Sequence, residues 1–347
     1  MPAGTCPSAG GDSAVITAPP APLRAAGAAL DGIPSDDVDP AGPVAWFDGR
    51  FVPAGEASIA VGDAGFVLGT TVTEQLRTFH GKPFLSAAHA LRFRRSAAIV
   101  GIEPPPDVER IFAAAEVVAA RSWNALCLPT GGDLGLIVLA TPGDLPAQHG
   151  GRRGTPRVVV HAFPLAFAMW AAAYGSGVSI RCVSVEQIPD ACWPLALKCR
   201  SRMHYHLADR EAHAAEPGAR ALLRHADGRV SETSTANVAI VRRGEILTPP
   251  AGDALAGISL AHARGLAAEE GIPWREATLR AHDLAAADEI LLTSTPWCLL
   301  AATRFDGEPV GDGRPGPVYR RLLGAWSRST GLDIAAQAVS HAAHAAR

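Results

Sequence analysis

The chain has 347 residues, and its 31 Lys and Arg against 34 Asp and Glu give a formal net charge of −3 at pH 7. This length predicts two domains, and the nearly balanced charge argues against nucleic acids or anionic membranes as partners. The six cysteines lack paired spacing and no apolar run reaches about 18 residues, so we predict no disulfide framework, no metal site, no membrane span and a cytoplasmic location.

The first half of the chain is predicted to contain an extension and a small α/β domain. Residues 1–43 are rich in Ala, Gly and Pro, which is typical of disorder. The domain, over residues 44–165, is predicted to begin with a hairpin around an Asp-Gly turn at 48–49. It would continue with helices over 85–101 and 107–122 and end with strands over 134–140 and 157–163.

The second half is predicted to form a larger α/β domain over residues 178–330, after an interdomain linker over 166–177. Its strands are predicted at 178–185, 219–224, 238–241 and 289–293, and its helices at 199–213, 259–270 and 317–329. Residues 331–347 are predicted to be a C-terminal tail whose alanine-rich end frays.

Lys198 is one of only two lysines in the chain, the other being Lys82. It follows the apolar segment Trp193-Pro194-Leu195-Ala196-Leu197, and an apolar environment lowers the pKa of an amine. An uncharged amine is what a nucleophile that forms an imine requires. The alternative is a lysine whose stem lies along the surface and whose charge reaches water.

A lone acid, Glu232, lies among small hydroxyl residues at a predicted strand end. A carboxylate in such a place suits the protonated ring nitrogen of a cofactor that accepts electrons. The alternative is a solvated turn residue.

Two small-residue segments could bind a phosphate. Gly257-Ile258-Ser259 opens a predicted helix, whose first backbone N–H groups are free to donate, and Ser294-Thr295 closes a predicted strand. Arg92, on an earlier predicted helix, could bind two phosphate oxygens at once. An ordinary helix cap and an ordinary turn remain the alternative.

Taken in order, these segments resemble the class IV aminotransferases, which include branched-chain and D-amino-acid aminotransferases and aminodeoxychorismate lyase. The resemblance is carried by Asp63-Ala64-Gly65-Phe66-Val67-Leu68-Gly69-Thr70 with Glu74 and Arg77, His89-x-x-Arg92-Phe93 with Ser96-Ala97, Lys198, Glu232 with Asn237, Gly257-Ile258-Ser259, and Ser294-Thr295. It implies a two-domain α/β enzyme of fold type IV, similar to D-amino-acid aminotransferase, with the active site between the domains and a homodimeric assembly.

The resemblance also implies the cofactor and the residues that bind it. Lys198 would hold pyridoxal 5'-phosphate as a Schiff base and Glu232 would meet its pyridine nitrogen. The phosphate would be bound by Arg92, Gly257, Ile258, Ser259, Ser294 and Thr295. The implied reaction, in amino-acid metabolism, moves an amino group between an amino acid or amine and a keto acid. A lyase that uses the same lysine, or a non-catalytic relative, remains the alternative.

Departures from the family pattern concern the substrate. Leu260 stands where relatives commonly have an arginine, Asp133-Leu134-Gly135 offers no arginine for a substrate carboxylate, and Thr73-Glu74-Gln75 changes the pocket wall. We therefore do not expect standard branched-chain substrates. The candidate substrate-contacting residues are Glu74, Arg77, Arg202 and Tyr205.

Overall fold

The computed structural model of the chain describes residues 42–127 and 131–345. The disordered extension predicted over residues 1–43 therefore lies outside the described residues, except for its last two. Among the helices that are described, none is both long and apolar enough to cross a bilayer.

The first half of the chain forms an antiparallel sheet covered by two long helices. Within the described residues its strands are β1 (Val44–Phe47), β2 (Arg50–Pro53), β3 (Val72–Phe79), β4 (Lys82–Pro83), β5 (Leu134–Thr141) and β6 (Arg157–Pro164). Their order across the sheet is β2-β1-β6-β5-β3-β4. The helices of this half are α1 (Ala64–Val67), α2 (Ser86–Val100) and α3 (Val108–Leu126). Helices α2 and α3 pack on the sheet and enclose an apolar core with it.

Local sequence signals account for the boundaries in this half. The predicted hairpin is confirmed, and its turn residues Asp48 and Gly49 both have positive φ values, of 48° and 95°, as a tight Asp-Gly turn requires. Helix α2 ends at Gly101, whose left-handed φ of 73° suits glycine. Helix α3 begins after Asp107, whose carboxylate accepts a hydrogen bond from the N–H of Arg110 (3.0 Å).

The second half contains a larger sheet. Its strands, as far as the chain is described, are β7 (Val178–Glu186), β8 (Arg220–Arg224), β9 (Val230–Thr233), β10 (Asn237–Arg242), β11 (Glu245–Thr248), β12 (Trp274–Glu276), β13 (Glu289–Ser294), β14 (Cys298–Phe305) and β15 (Glu308–Pro309). Their order is β12-β11-β10-β13-β14-β7-β8-β9, with β15 paired to β14. A bridge between Glu232 and Asn237 also joins β9 to β10 and closes part of the sheet into a ring.

Six helices accompany this sheet in the described part of the chain. They are α4 (Ala173–Ser176), α5 (Met203–Ala215), α6 (Ile258–Glu269), α7 (Ala281–Ala285), α8 (Pro317–Thr330) and α9 (Ile334–Ala345). Helices α6 and α8 pack against each other and against β13, where they help to enclose the main apolar core.

Two predictions about segments next to the large sheet need correction. Residues 166–177, predicted to be a linker, place Phe167, Trp170 and Tyr174 in the main apolar core. The prediction that the C-terminal end frays is wrong for the residues described, because α9 is helical and buries Ile334 and Ala338 completely. Both segments gain stability from contacts with remote residues, which local composition does not reveal.

Candidate active site

Lys198 lies in the segment between β7 and α5, and its backbone is bound to the first sheet. Its N–H donates to Oγ of Ser96 on α2 (3.1 Å), and its carbonyl accepts from the N–H of Thr73 on β3 (3.1 Å). Two residues later, the N–H of Arg200 donates to the carbonyl of Thr71 (2.8 Å). These bonds fix Lys198 at the place where the two halves of the chain meet.

The side chain of Lys198 lines a narrow cavity together with Glu232 and Arg202. Burial and the nearby charge of Arg92 lower the pKa of Lys198 to about 8, although the carboxylates of Glu74 and Glu232 oppose the shift. A large fraction of this amine is therefore uncharged near neutral pH and able to act as a nucleophile.

Glu232, on β9, is buried and accepts hydrogen bonds at both carboxylate oxygens. The hydroxyl of Tyr205 donates to Oε1 (2.8 Å), Nε2 of Gln187 approaches the same oxygen (3.4 Å), and Nδ2 of Asn237 donates to Oε2 (3.1 Å). Burial raises the pKa of Glu232, and the hydrogen bond from Tyr205 and the charge of Lys198 oppose that effect. The solvated-turn alternative is excluded, because the side chain is only 6% exposed.

Arg92 is held by a buried carboxylate. Its Nε and one terminal nitrogen donate to the two oxygens of Glu74 (both 2.7 Å), and its other terminal nitrogen donates to the carbonyl of Ala256 (2.8 Å). His89 also donates to Glu74, from Nδ1 (2.7 Å). Burial alone would raise the pKa of Glu74, but the charge and hydrogen bonds of Arg92, together with His89, hold it at about 2. Burial lowers the pKa of His89, despite its hydrogen bond to Glu74.

This arrangement corrects the prediction that Glu74 contacts substrate. Glu74 is fully buried, and the donors just described occupy both of its oxygens. The carboxylate instead directs Arg92 at the loop that precedes α6.

The N-terminus of α6 is open in the way an anion site requires. Gly257 is the N-cap residue, and no side chain in the described part of the chain caps the helix. The first-turn N–H groups, from Ile258 and Ser259 onward, are therefore available as donors, beside the cation of Arg92. A Cβ at position 257 would lie 1.7 Å from Oδ1 of Asn237, so this close approach requires glycine.

The turn after β13 adds hydroxyl groups. Ser294 donates its hydroxyl to the carbonyl of Thr235 (2.7 Å), while Thr295 is half-buried. Oγ1 of Thr293 is buried and has no hydrogen-bond partner among the described residues. Thr293 pairs with Asn237 across β13 and β10, so their side chains lie on the same face of the sheet, and Asn237 closely approaches Gly257. An unpaired hydroxyl on this face fits a polar ligand at the start of α6.

Arg77 does not lie where a substrate residue was predicted. It is only 1% exposed, and it donates to the carbonyl of Pro296 (3.1 Å) and to Oε1 of Gln337 on α9 (3.2 Å). Its guanidinium also lies 4.0 Å from the carboxylate of Asp133. Arg77 therefore ties β3 to α9 and to the turn after β13, which corrects the substrate assignment.

Arg202 and Tyr205, the other predicted substrate residues, both line the cavity that contains Lys198. The guanidinium of Arg202 lies over the ring of Tyr205, 4.5 Å from its centroid, and donates to the carbonyl of Ser234. Arg202 is half-buried, whereas the neighbouring Arg200 is exposed.

Sequence reasoning missed Gln187, Ser96 and the role of Asn237. Gln187 is 2% exposed at the end of β7 and contacts Glu232 from a position 45 residues earlier. A glutamine at a strand end carries no local signal of such a role. Asn237 belonged to the motif, but only the folded chain shows its amide between Glu232 and Gly257.

Comparison with known proteins gives consistent results. The family described as Amino-transferase class IV matches residues 71–305. The chain is 27% identical over 280 residues to a D-alanine aminotransferase of Staphylococcus haemolyticus, which covers 80% of this chain and 94% of that protein.

Solved structures are similar in fold as well. The branched-chain amino acid aminotransferase of Escherichia coli superimposes with a TM-score of 0.73 at 26% identity, covering 82% of this chain and 93% of that one. The branched-chain amino acid aminotransferase from T.th., complexed with N-(5'-phosphopyridoxyl)-L-glutamate, gives a TM-score of 0.72 at 26% identity, covering 84% and 95%.

Proposed function

Because the chain belongs to the class IV aminotransferase family, a family of pyridoxal-phosphate enzymes, we propose that Lys198 binds this cofactor and that amino transfer occurs there. The observation that carries the proposal is the buried amine of Lys198, whose pKa is lowered to about 8 within one cavity with Glu232. Of the chain's two lysines, Lys82 is exposed and Lys198 is not.

The residues of the site fit the cofactor that the family uses. We propose that the uncapped N-terminus of α6 at Gly257, Ile258 and Ser259, together with Arg92, binds the phosphate, and that Thr295 adds a hydroxyl. Ser294 contributes through the turn, since its own hydroxyl donates to Thr235. When bound, pyridoxal phosphate supplies an electron sink for the bonds at the substrate α-carbon.

The chain's own groups would handle charge and protons. Glu232, ionised, accepts a hydrogen bond from the ring nitrogen and keeps that nitrogen protonated. The Nζ atom of Lys198, uncharged when released, is the base that takes a proton from the substrate α-carbon and later returns it. Burial of both side chains keeps bulk water from competing for that proton.

We propose that Arg202 binds the carboxylate of the amino donor. Support comes from its place in the wall of the cavity and from its half-buried guanidinium, which has donors beyond the one used by Ser234. An arginine in a partly desolvated site discriminates in favour of a substrate carboxylate. The substrates would then be amino acids and keto acids, with D-alanine, on which relatives are named, as the first donor to test.

An amino-transfer assay tests this proposal. D-Alanine, L-leucine and isopropylamine are offered as donors with α-ketoglutarate or pyruvate as acceptor, to the parent and to Lys198→Ala, with Lys82→Ala as the matched control. We expect transfer by the parent and by Lys82→Ala and none by Lys198→Ala. Product formation that needs no keto acid acceptor would contradict transamination and indicate a lyase.

The same assay tests Arg202. Arg202→Leu should raise the KM for donors with a carboxylate about tenfold or more, the loss of one charge-assisted hydrogen bond, without changing KM for a simple amine. Arg200→Leu, at an exposed arginine two residues away, is the control and should leave both values unchanged.

The division of the chain is also a proposal. The two sheets support a small domain over residues 44–165 and a large domain from 178, which we extend to include residues 166–177 and α9 because both pack into its core. A homodimer is supported by exposed apolar side chains before and within the α1 segment, Val61 and Phe66. The cytoplasmic location stays a prediction.

A further inference from the structure

Tyr205 forms the shortest hydrogen bond to Glu232, at 2.8 Å, and it lies on α5 rather than on the strand that carries Glu232. The inference drawn from this contact rests on the proposed function, because it concerns how Glu232 is prepared for the cofactor's ring nitrogen. The direction of each hydrogen bond around the carboxylate decides the matter.

The amide of Gln187 has only one possible orientation. The backbone N–H of Ile188 donates to Oε1 of Gln187 (2.9 Å), which leaves Nε2 as the group that faces the site. One Nε2 hydrogen is directed at Oγ of Ser231 (3.0 Å), which has donated its own proton to the carbonyl of Asp253 (2.6 Å). The other hydrogen is directed between the hydroxyl of Tyr205 (3.3 Å) and Glu232.

This orientation fixes the proton of Tyr205. Because Nε2 of Gln187 can only donate, the Tyr205 oxygen accepts on that side, and its own hydrogen is free to point at Oε1 of Glu232. On the opposite side, Nδ2 of Asn237 donates to the carbonyl of Leu255 (2.9 Å) as well as to Oε2 of Glu232, so the nitrogen of that amide is also identified.

Every contact just described therefore donates to Glu232, and none requires Glu232 to carry a proton. A carboxylate surrounded by donors is stabilised in its charged form, with a lone pair left for one further donor. We propose that Tyr205, oriented by Gln187, is a positioning residue that keeps Glu232 charged and aimed at the ring nitrogen of the cofactor. This replaces the predicted substrate contact of Tyr205.

The charges around the site agree with this role. Burial raises the pKa of Glu232, and the opposing influences are the hydrogen bond from Tyr205 and the cations of Lys198 and Arg202. His204, which lines the same cavity, has its pKa lowered to about 4 by burial and by Arg202, so it is uncharged at neutral pH. Removing the Tyr205 hydroxyl removes a group that holds the pKa of Glu232 down, and that pKa should rise further.

The test compares Tyr205→Phe with Tyr174→Phe. Tyr174 is a matched control, because its buried hydroxyl also makes a 2.8 Å hydrogen bond, to the carbonyl of Trp297, away from Glu232. Tyr205→Phe should lower kcat about tenfold, as expected for one hydrogen bond to a charged acceptor, and leave the KM for the amino donor unchanged. The acid limb of the kcat profile should move to higher pH, and Tyr174→Phe should keep the parent profile.

A second measurement does not depend on turnover. The absorption spectrum of the bound cofactor, without substrate, is titrated with acid in both variants, and the spectral transition should move to higher pH in Tyr205→Phe only. Gln187→Met, which keeps the Tyr205 hydroxyl but frees its orientation, should give a smaller shift in the same direction. This variant tests the idea even if Tyr205→Phe folds poorly.

Two results would overturn the inference. One is a Tyr205→Phe enzyme whose kcat, pH profile and spectral titration equal those of the parent. The other is a change confined to the KM of donors with a carboxylate, which would return Tyr205 to the substrate site. Glu232→Gln separates these from failure of the proposed function: if it loses kcat while Tyr205→Phe does not, only the role of Tyr205 falls.

Discussion

At the scale of single residues, the chemistry depends on how burial is balanced by neighbouring charge. Lys198 and Glu232 line one cavity, and burial moves their pKa values toward each other, downward for the amine and upward for the acid. Each is opposed by the charge of the other. The amine is thereby kept reactive, while the donors around Glu232 favour its charged form.

The pH dependence of cofactor capture follows from Lys198. Because burial lowers its pKa from an ordinary value of 10.5 to about 8, the uncharged fraction should rise as the pH increases and level off above that value. The rate at which the cofactor-free enzyme captures pyridoxal phosphate should follow the same curve, when monitored by absorbance. A rate that keeps rising to pH 10, as for free lysine in solution, would show that the amine is not buried as described.

The ion pair of Glu74 and Arg92 should contribute strongly to stability. Glu74→Gln leaves the Arg92 cation buried without its counter-charge, which typically costs about 3 to 5 kcal/mol of the free energy of unfolding. Urea denaturation of the cofactor-free protein measures this. Because the pKa of Glu74 is held at about 2, below its ordinary 4.5, the stabilisation is fully present above pH 4.5 and is lost as the pH falls toward 2.

The matched control lies on the same helix as Arg92. Arg94 pairs with Glu109 at the surface, with side chains 53% and 64% exposed, so Glu109→Gln should change the free energy of unfolding by no more than about 0.5 kcal/mol. Equal effects of the two substitutions would mean that the Glu74 pair is solvated rather than buried.

At the scale of elements, the start of α6 is the part of the site that depends most on backbone geometry. Gly257→Ala places a Cβ 1.7 Å from Oδ1 of Asn237, so the helix start or the Asn237 side chain must move. We expect a large loss of affinity for pyridoxal phosphate, measured as a dissociation constant, because the N–H donors are displaced. Gly257→Ala with unchanged affinity would place the phosphate elsewhere.

A second glycine in the same helix provides the control. Gly265 lies within α6, and a Cβ there would contact nothing within 4 Å. Gly265→Ala should therefore leave affinity unchanged and stabilise the fold by roughly 0.5 to 1 kcal/mol through helix propensity.

The elements that could be predicted from sequence are those with a local cause. The hairpin at Asp48-Gly49 and helix α2, which ends at Gly101, depend on turn chemistry and periodicity within a few residues. Strand β3 was missed because it carries Glu74 and Arg77, and charged residues argue against a buried strand. Their burial is possible only through partners on α2, α9 and the turn after β13, which no local pattern contains.

At the scale of the whole molecule, the ordered motif predicted the family and the cofactor, whereas the roles of individual polar residues needed the fold. Lys198 and Glu232 could be identified because each is unusual in its own segment. Glu74 could not be recognised as the partner of Arg92, nor Tyr205 as that of Glu232, because these pairs are 18 and 27 residues apart in sequence.

The proposed homodimer can be tested at the exposed segment around α1. Phe66 is 71% exposed and Val61 81%, and burying such a patch against a second copy would stabilise a dimer. Light scattering should show a dimer for the parent and a shift toward monomer for Phe66→Ser. Met169→Ser, at an apolar residue 80% exposed elsewhere, should stay dimeric. A monomeric parent at micromolar concentration would contradict the proposal.

The central claim is that Lys198 carries the cofactor, and borohydride reduction followed by peptide mapping tests it most directly. The parent protein is incubated with pyridoxal phosphate, reduced, digested and analysed by mass spectrometry. Because the chain has only two lysines, the result distinguishes Lys198 from Lys82 without ambiguity. We predict the phosphopyridoxyl group on the peptide that contains Lys198, in the parent and in Lys82→Ala, and none at that position in Lys198→Ala. Stoichiometric labelling of Lys82 in the parent, or no label at Lys198, would contradict the account.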